Sequence, residues 1–569
     1  LKPYIDEHGN TKNNFAARFR KAFNAVFDRL SRRYVRGVLY VIHRRWLLWG
    51  TIAVSFGLLV LFVNTTKTGL IPEEDTGTVM VSMNTKPGTS MAQTGKTLKR
   101  INSRLDSIAE IEYNGTVAGF SFSGSGPSQA MSFLTLTDWD ERKGEGQSVN
   151  DVIGRIYAAT ADIPDATVFA MSPPMIAGYG MGNGFELYLQ DKNAGDITAF
   201  SQVTDRFVEA LSGRPEIGEV YSSFAADYPQ YWVDIDDAKC EQSGVSPSDV
   251  LSTLSGYFSG EYVSNFNRFS KLYHVTMQAP AEYRMDTESL DGMYVRTSDG
   301  SMSPLSHFVR LTKTNGPSDL TRFNMFNAIS ISGSPATGYS SGQVLKAIRE
   351  TADHVLPSGY TYELGGLSRE ESNTTNNAVW IFVLCMVLIY LILCALYESV
   401  FIPFAVLLSV PCGLMGSFLF AKLMGLENNI YLQTGLIMLI GLLAKTAILL
   451  TEYAAERRKA GMGLIASAVS AAKARLRPIL MTALTMIFGL LPLMVATGVG
   501  ANGNRSLGTG AVGGMVIGTL ALLFIVPALF VTFQWLQERL RPAQAVQTQD
   551  WQIEEEMEVS KHEIEDAHK

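Results

Sequence analysis

Lys445 sits inside an apolar run, Ile440-Gly441-Leu442-Leu443-Ala444-Lys445-Thr446-Ala447-Ile448-Leu449-Leu450. A lysine deep in a membrane span costs about 2.5–3.5 kcal/mol on insertion scales, so it needs a carboxylate, a water-filled cavity or a route to the surface. Snorkelling is the plain alternative. The polar boundary at Glu452 is seven residues on, about 10 Å along a helix, and a lysine stem covers only part of that distance. A lysine paired with a carboxylate is a proton switch, because protonating the acid removes the reason for the pair. Thirty residues further, Arg475-Leu476-Arg477-Pro478-Ile479-Leu480-Met481-Thr482 puts two arginines at a helix mouth, a proline able to open the helix, and the Thr482 hydroxyl one turn deeper, able to hold a proton-carrying water. Alone, such arginines read as interfacial anchors; beside Lys445 they gain weight.

A second group is aromatic. Gly119-Phe120-Ser121-Phe122-Ser123-Gly124-Ser125-Gly126 precedes Met131-Ser132-Phe133. If the segment is still a strand, Phe120 and Phe122 share a face, followed by a mobile Gly/Ser loop. Either the pair packs into a core, or with Phe133 it lines an adaptable pocket for greasy ligands. Phe169 and Met171, at the end of a later strand, are placed for a second wall. Gly95-Lys96-Thr97 imitates the end of a phosphate-binding loop, but Ser90 stands where that motif needs its first glycine. No metal-ligand or nucleophile motif appears, and nothing points to nucleic acid.

The elements that must hold these residues are mostly membrane helices. Hydrophobic residues make up 47% of the chain and charged ones only 18%, with a net charge of −7, a balance that excludes a disordered chain. Six runs are long and apolar enough to span a bilayer: 46–66, 372–397, 399–421, 428–451, 478–504 and 506–537. None contains Asp or Glu, so any acid paired with Lys445 has to come from elsewhere. Residues 1–45 hold eleven Lys/Arg against three acids and residues 452–477 hold six more, which places both in the cytoplasm and residues 67–371 outside. Residues 15–34 pattern as an amphipathic helix on the inner leaflet. Cys240 alone of the four cysteines lies outside the apolar runs, so no intrachain disulfide staples the polar part. Gly510, Gly514 and Gly518 form a stripe that reads as close helix packing. The chain opens on Leu1 without a signal-peptide pattern and reads as processed or partial.

Between the first two spans, strands near 78–83, 112–120, 131–136 and 167–171 with helices near 91–108 and 149–160 spell β-α-β-β-α-β, the ferredoxin-like split. A second copy starts with 185–189, 197–212 and 218–222 and finishes with 328–332, 341–355 and 360–364. An α/β module, 227–312, interrupts it. Two packed α/β units leave a cleft, the usual place for a ligand.

At Pro72-Glu73-Glu74-Asp75-Thr76-Gly77, Gly119–Gly126, Leu396-Tyr397-Glu398-Ser399, Gly441–Lys445 and Arg475–Thr482, the chain resembles the C-terminal half of a resistance–nodulation–division (RND) multidrug efflux pump of the hydrophobe/amphiphile type, the acriflavine-resistance pump family. The resemblance runs from the first span to the last and stops before the acidic tail. It implies an α-helical membrane protein with six transmembrane helices (46–66, 372–397, 399–424, 428–454, 476–500, 507–537) and a large periplasmic α+β part. That part would comprise porter subdomain 1 (67–180), porter subdomain 2 (181–226 and 313–371) and an inserted docking subdomain (227–312), with a cytoplasmic basic segment 1–45 and acidic tail 538–569. It implies proton-driven efflux of drugs, dyes and detergents across the inner membrane of a Gram-negative bacterium, with no cofactor beyond the proton gradient. The implied partners are a homotrimer of the pump, a periplasmic adaptor, an outer-membrane channel and the N-terminal half of the pump, which would supply the relay aspartates. By resemblance Lys445, Arg475 and Thr482 take proton-relay positions, and Phe120, Phe122 and Phe133 line the deep pocket. Gly119, Gly124 and Gly126 belong to a switch loop, and Phe169 and Met171 line the pocket where cargo first arrives. Gly115 and Ser125 depart from the pattern, standing where some members carry phenylalanine and arginine. Metal ions (through Met80, Met171 and Met175), lipids, or a non-transporting receptor or assembly role remain the alternatives.

Overall fold

The computed structural model describes residues 15–540, apart from 122–123, 145, 177, 181–183, 223, 318 and 337. Residues 1–14 and the acidic tail from 541 lie outside it. Helix α1 (Phe15–His43) leads directly into α2 (Arg45–Thr65), the first apolar span. The amphipathic helix therefore runs well beyond residue 34. Phe19, Phe23, Val26 and Leu30 are exposed, whereas Tyr34, Val35, Val38 and Leu39 are buried. Tyr34 closes the second half of the contact by donating its hydroxyl to the Leu523 carbonyl at 2.7 Å. Apart from Phe27, the apolar side chains from Phe19 to Leu30 in the front half are left uncovered by the described residues, as on an interfacial helix.

The outer section begins with β1 (Thr78–Thr85), α3 (Met91–Leu105), β2 (Ile111–Ser121), β3 (Gly124–Leu136), α4 (Val149–Thr160) and β4 (Ala166–Met171). The sheet order is β2-β3-β1-β4, antiparallel throughout. Val79, Val81 and Met83 face α3 and α4 and meet Ile101, Leu105, Val152 and Ile156 in one core. Burial on alternate residues of β1 follows from the pleat. The second unit has β5 (Phe185–Asp191), α5 (Ile197–Ser212) and β6 (Ile217–Ser222) before the interruption.

The interruption starts at β7 (Tyr228–Ile235) and continues through α6 (Asp237–Gln242), α7 (Pro247–Phe258), an exposed hairpin β8 (Glu261–Arg268) and β9 (Lys271–Met277), and a short pair β10 (Tyr294–Arg296) and β11 (Met302–Pro304). It closes where β12 (Val309–Gly316) pairs with β7. Ser246 caps α7 by accepting from the Ser248 amide at 3.2 Å, with Pro247 in the first turn. The unit then resumes with β13 (Thr321–Phe323), β14 (Phe326–Pro335), α8 (Ser341–Val355) and β15 (Tyr360–Leu364). β6 pairs β14, β14 pairs β5 and β5 pairs β15, the same strand relations as in the first sheet.

The membrane part follows as α9 (Gly366–Tyr397), α10 (Ile402–Leu407), α11 (Val410–Leu423), α12 (Ile430–Lys459), α13 (Leu464–Met494) and α14 (Ala501–Leu540). With α2, the described residues hold six candidate spans. Three details differ from the sequence reading. The third span is broken at Leu408–Ser409, where the Ser409 hydroxyl bonds back to the Val406 carbonyl. Pro478 opens nothing: it lies inside α13, which already starts at Leu464 because Ser467–Ala472 bury their small side chains in the helix packing. The fifth helix stops at Met494, and the last starts at Ala501 rather than 507.

Helix α14 is the hub. Its Gly513 lies against Phe420 of α11, and Gly510 and Gly518 lie against Leu432 and Leu443 of α12. Glycine brings the backbones together where van der Waals packing has to replace the hydrophobic effect. The start of α14 is capped from the outer section: Glu74 accepts from the amides of Asn502 at 3.1 Å and Gly503 at 2.6 Å, a carboxylate at the positive end of the helix.

Candidate functional site

Lys445 lies midway along α12 and points out of the helix cluster. Thr434, Met438, Gly441 and Lys445 form one exposed row at helical spacing. Lys445 makes no hydrogen bond or ion pair with the described residues. On the neighbouring α13, Arg477, Met481, Thr482 and Thr485 are likewise exposed. Two adjacent helices thus each leave a row uncovered, one carrying a cation at mid-span.

Arg475 and Thr482 are placed differently from each other. The Arg475 guanidinium lies 4.8 Å over the Tyr453 ring of α12. Its enclosed Nε finds no acceptor among the described residues. Arg477 lies 4.5 Å over the Phe27 ring and donates to Asn24 Oδ1 at 3.3 Å, tying α13 to the interfacial helix, so that one is an anchor. The Thr482 hydroxyl bonds back to the carbonyls of Pro478 and Ile479, both at 3.0 Å. Pro478 has no N–H to occupy the carbonyl one turn before it. Lys445, Arg475 and Thr482 therefore stand on adjacent helices without bonding one another among the described residues.

The aromatic group is resolved by register. Phe133 of β3 stands opposite Met80 of β1, which stands opposite Met171 of β4. The next row on the same face runs Met131, Ser82, Phe169. Both rows lie on the face away from α3 and α4, since the alternate residues of β1 fill the core. Phe133 is 44% and Phe120 45% exposed, so neither is a core residue.

The segment read as a mobile loop is instead a ladder. Phe120 pairs with Ser125 and Ser121 with Gly124, after a register shift at Ala118/Phe120. Gly124 and Gly126 are strand residues of β3, and Gly119 is the irregular position of β2, with φ +88°. A Cβ on Gly119 would come 2.6 Å from Met91 Cε of α3. Gly119 thus faces the helices, and the next residue, Phe120, turns to the face of Phe133. Phe122 lies outside the described residues.

Sequence reasoning missed Tyr221. It stacks on Phe169 with ring centroids 4.0 Å apart, and its hydroxyl points at Met171 Sδ, 3.9 Å away. Burial pushes that hydroxyl up to about 12. The stack joins the helix-free face of the first sheet to β6 of the second unit. It divides the cleft between a cavity of about 320 Å³ that Phe169 lines and one of about 50 Å³ lined by Met171 and Tyr221. Met80 and Met131 were missed as members of the same rows, because the register that aligns them is not local in sequence. Met175 lines a different cavity, at the membrane face, so the methionines do not converge on one point.

An aromatic pair of this kind contributes about 0.5–1.5 kcal/mol beyond its buried area. Tyr221→Ala is therefore expected to raise amide exchange in Ala166–Met171 and Ile217–Ser222 roughly two- to tenfold. Hydrogen–deuterium exchange read peptide by peptide measures it.

Six candidate spans and a large sheet-rich section among the described residues describe a multi-pass membrane protein. The chain belongs to the AcrB/AcrD/AcrF family, whose profile matches residues 4–534. It is 36% identical over 522 residues to the solvent-resistant pump membrane transporter SrpB of Pseudomonas putida, covering 91% of this chain and 50% of that protein. It is 34% identical over 547 residues to the multidrug resistance protein MdtF of Escherichia coli, covering 94% and 52%. It is 35% identical over 535 residues to the toluene efflux pump membrane transporter TtgB of Pseudomonas putida, covering 93% and 50%. The chain spans about half the length of the curated relatives it matches.

Proposed function

We propose that this chain is the C-terminal half of a proton-driven RND efflux pump for hydrophobic and amphiphilic compounds, acting as an antiporter in the inner membrane of a Gram-negative bacterium. The observation that carries the reading is Lys445: a cation on an exposed helix face at mid-span, with no acid among the described residues to hold it. A further pair of helices bearing carboxylates fits that open face, and the N-terminal half of the pump is their source. An outside proton then neutralises the carboxylate beside Lys445, the pair separates, and α12 and α13 shift. The shift reaches the outer section through α14, whose start Glu74 caps. Arg475 and Thr482 are the further relay positions; Arg475 keeps an unused N–H there.

The two β-α-β-β-α-β units are porter subdomains and the module between β7 and β12 is the docking subdomain. Cargo passes between the porters, first by Phe169, Met171 and Tyr221, then by Phe120, Phe122 and Phe133, with Gly119, Gly124 and Gly126 in the hairpin between. The printed names of the relatives, solvent, toluene and multidrug pumps, favour apolar cargo, and so do exposed phenylalanines over a polar or acidic pocket. The pump works as a homotrimer with a periplasmic adaptor and an outer-membrane channel, and takes no cofactor beyond the proton gradient. Transport assays on the full protein in vesicles separate the cargo classes. Dye export that collapses with the proton gradient, without Cu(I) export, is the expected result. Gradient-independent dye movement, or Cu(I) export alone, would count against it.

A further inference from the structure

The joint between the outer section and the membrane helices is sewn along one short strap, residues 67–70. On one side, the Asn428 amide donates to the Lys67 carbonyl at 2.7 Å, the Gly69 amide to the Asn428 carbonyl at 3.3 Å and the Ile430 amide to the Leu70 carbonyl at 3.1 Å. Thr68 and Asn428 form a parallel bridge there. On the other side, the Gly342 amide, in the first turn of α8, donates to the Thr68 carbonyl at 3.1 Å. The Lys67 ammonium donates to the Gly338 carbonyl. The strap thus holds α2, the loop before α12 and the start of α8 in one place.

Two carboxyl groups meet at its centre. A Cβ on Gly69 would lie 2.6 Å from Glu427 Oε2 and 3.2 Å from Ser341 Oγ. The Ser341 hydroxyl donates to Glu371 Oε1 at 2.9 Å, and Glu371, in the second turn of α9, is buried. Glu371 and Glu427 are therefore separated by little more than Ser341 and a glycine. Both line a cavity of about 300 Å³ that Glu73 also lines.

We infer that Glu371 and Glu427 make this joint an acid-closed clasp: with both carboxyl groups protonated the strap stays sewn, and with both ionised their repulsion loosens it, so the pH outside the membrane sets how firmly the outer section is held. Burial, then the charge of Glu427, raises Glu371 to about 7 against the pull of the Ser341 hydrogen bond. Burial, then the charge of Glu73, raises Glu427 to about 7 against the pull of Lys67. The other charges facing the pair do not reverse this. From the linker, Glu74 is taken up by the start of α14. From α8, Lys346 lies 4.0 Å from Glu350 and shares a second cavity with Glu371. From α9 itself come Arg369 and Glu370. At the end of α11, Lys422 donates to Thr65 Oγ1 at 3.0 Å.

The direction follows from linkage. A carboxyl with its ordinary value of 4.5 in the open joint and about 7 in the closed one binds more protons when closed. Its contribution to the closed joint is complete below 4.5 and is lost as pH rises through about 7. Outside acid closes the clasp, and neutral medium frees it.

Amide hydrogen exchange on the full protein in lipid nanodiscs reads this without any transport. Segments 66–71, 339–344 and 426–431 are followed at about pH 5.5 and about pH 8, with labelling times scaled for the chemical rate. The clasp predicts exchange at least about tenfold faster at the higher pH after scaling, since every tenfold drop in a carboxyl's acidity on closure favours the closed joint by up to about tenfold. Glu371→Gln with Glu427→Gln should leave these segments slow at both pH values, and Glu427→Gln alone should remove part of the dependence. Scaled rates independent of pH in the unaltered protein, a measurement that needs no variant, would overturn the inference. So would a pH dependence that survives in the double variant. Lys445→Met should keep the dependence intact, so loss of the relay and loss of the clasp are told apart.

Discussion

Lys445→Met is expected to reduce dye export to the level of cells lacking the pump, with the protein still made and inserted. Lys445 stands on an exposed face, and its loss breaks no hydrogen bond or ion pair among the described residues. Removing a mid-span cation relieves rather than adds an insertion cost, about 2.5–3.5 kcal/mol on insertion scales. On the proposed reading, what the substitution removes is the counter-charge that makes a carboxylate of the other half respond to one proton. Lys445→Arg keeps the charge but spreads it over a longer planar head and should retain only part of the export. Dye accumulation in intact cells, with pump abundance read in the same cells, measures both.

Gly514→Val is expected to act at the opposite end of the chain of causes and prevent the membrane part from assembling. A Cβ at Gly514 would collide with Leu439 Cδ2 of α12 and Ser417 Oγ of α11 at once. The Ser417 hydroxyl is already committed to the Gly510 carbonyl at 2.5 Å. Relief in one direction presses α14 into the other neighbour. Overpacking a close-fitted interior costs about 1–3 kcal/mol even where one neighbour can move, and here two must. Size-exclusion chromatography in detergent should show aggregated or missing protein, whereas Gly57→Val, at an exposed site of α2 with nothing within 4 Å of its Cβ, should elute as the unaltered chain.

The parts legible in the sequence were those set by local pattern. Six long apolar runs gave the spans, and most strands and helices between the first two spans fall within a few residues of their periodic segments. That the six apolar runs hold no Asp or Glu is read from the sequence directly. Non-local pairing hid the rest. Gly124-Ser125-Gly126 has the composition of a loop, yet pairing of Gly124 and Ser125 with Ser121 and Phe120 makes it strand. Met80, Phe133 and Met171 come together only through the β3-β1-β4 register. Tyr221 gave no sequence signal, because its importance lies in meeting Phe169 from another sheet. Pro478 reads as a helix start by its type, but the small residues buried upstream carry α13 through it. Glu371 and Glu427 lie 56 positions apart and look like ordinary boundary carboxylates until the strap brings both to Gly69.

Proton movement coupled to cargo tests the relay most directly. The full protein is reconstituted in vesicles, and the internal pH is followed by a trapped indicator while dye is added on the side from which it is pumped. Coupling predicts an internal pH change that begins with dye addition, scales with dye transported and is absent in Lys445→Met. Dye transport without any accompanying proton flux, or proton flux that persists unchanged in Lys445→Met, would contradict it.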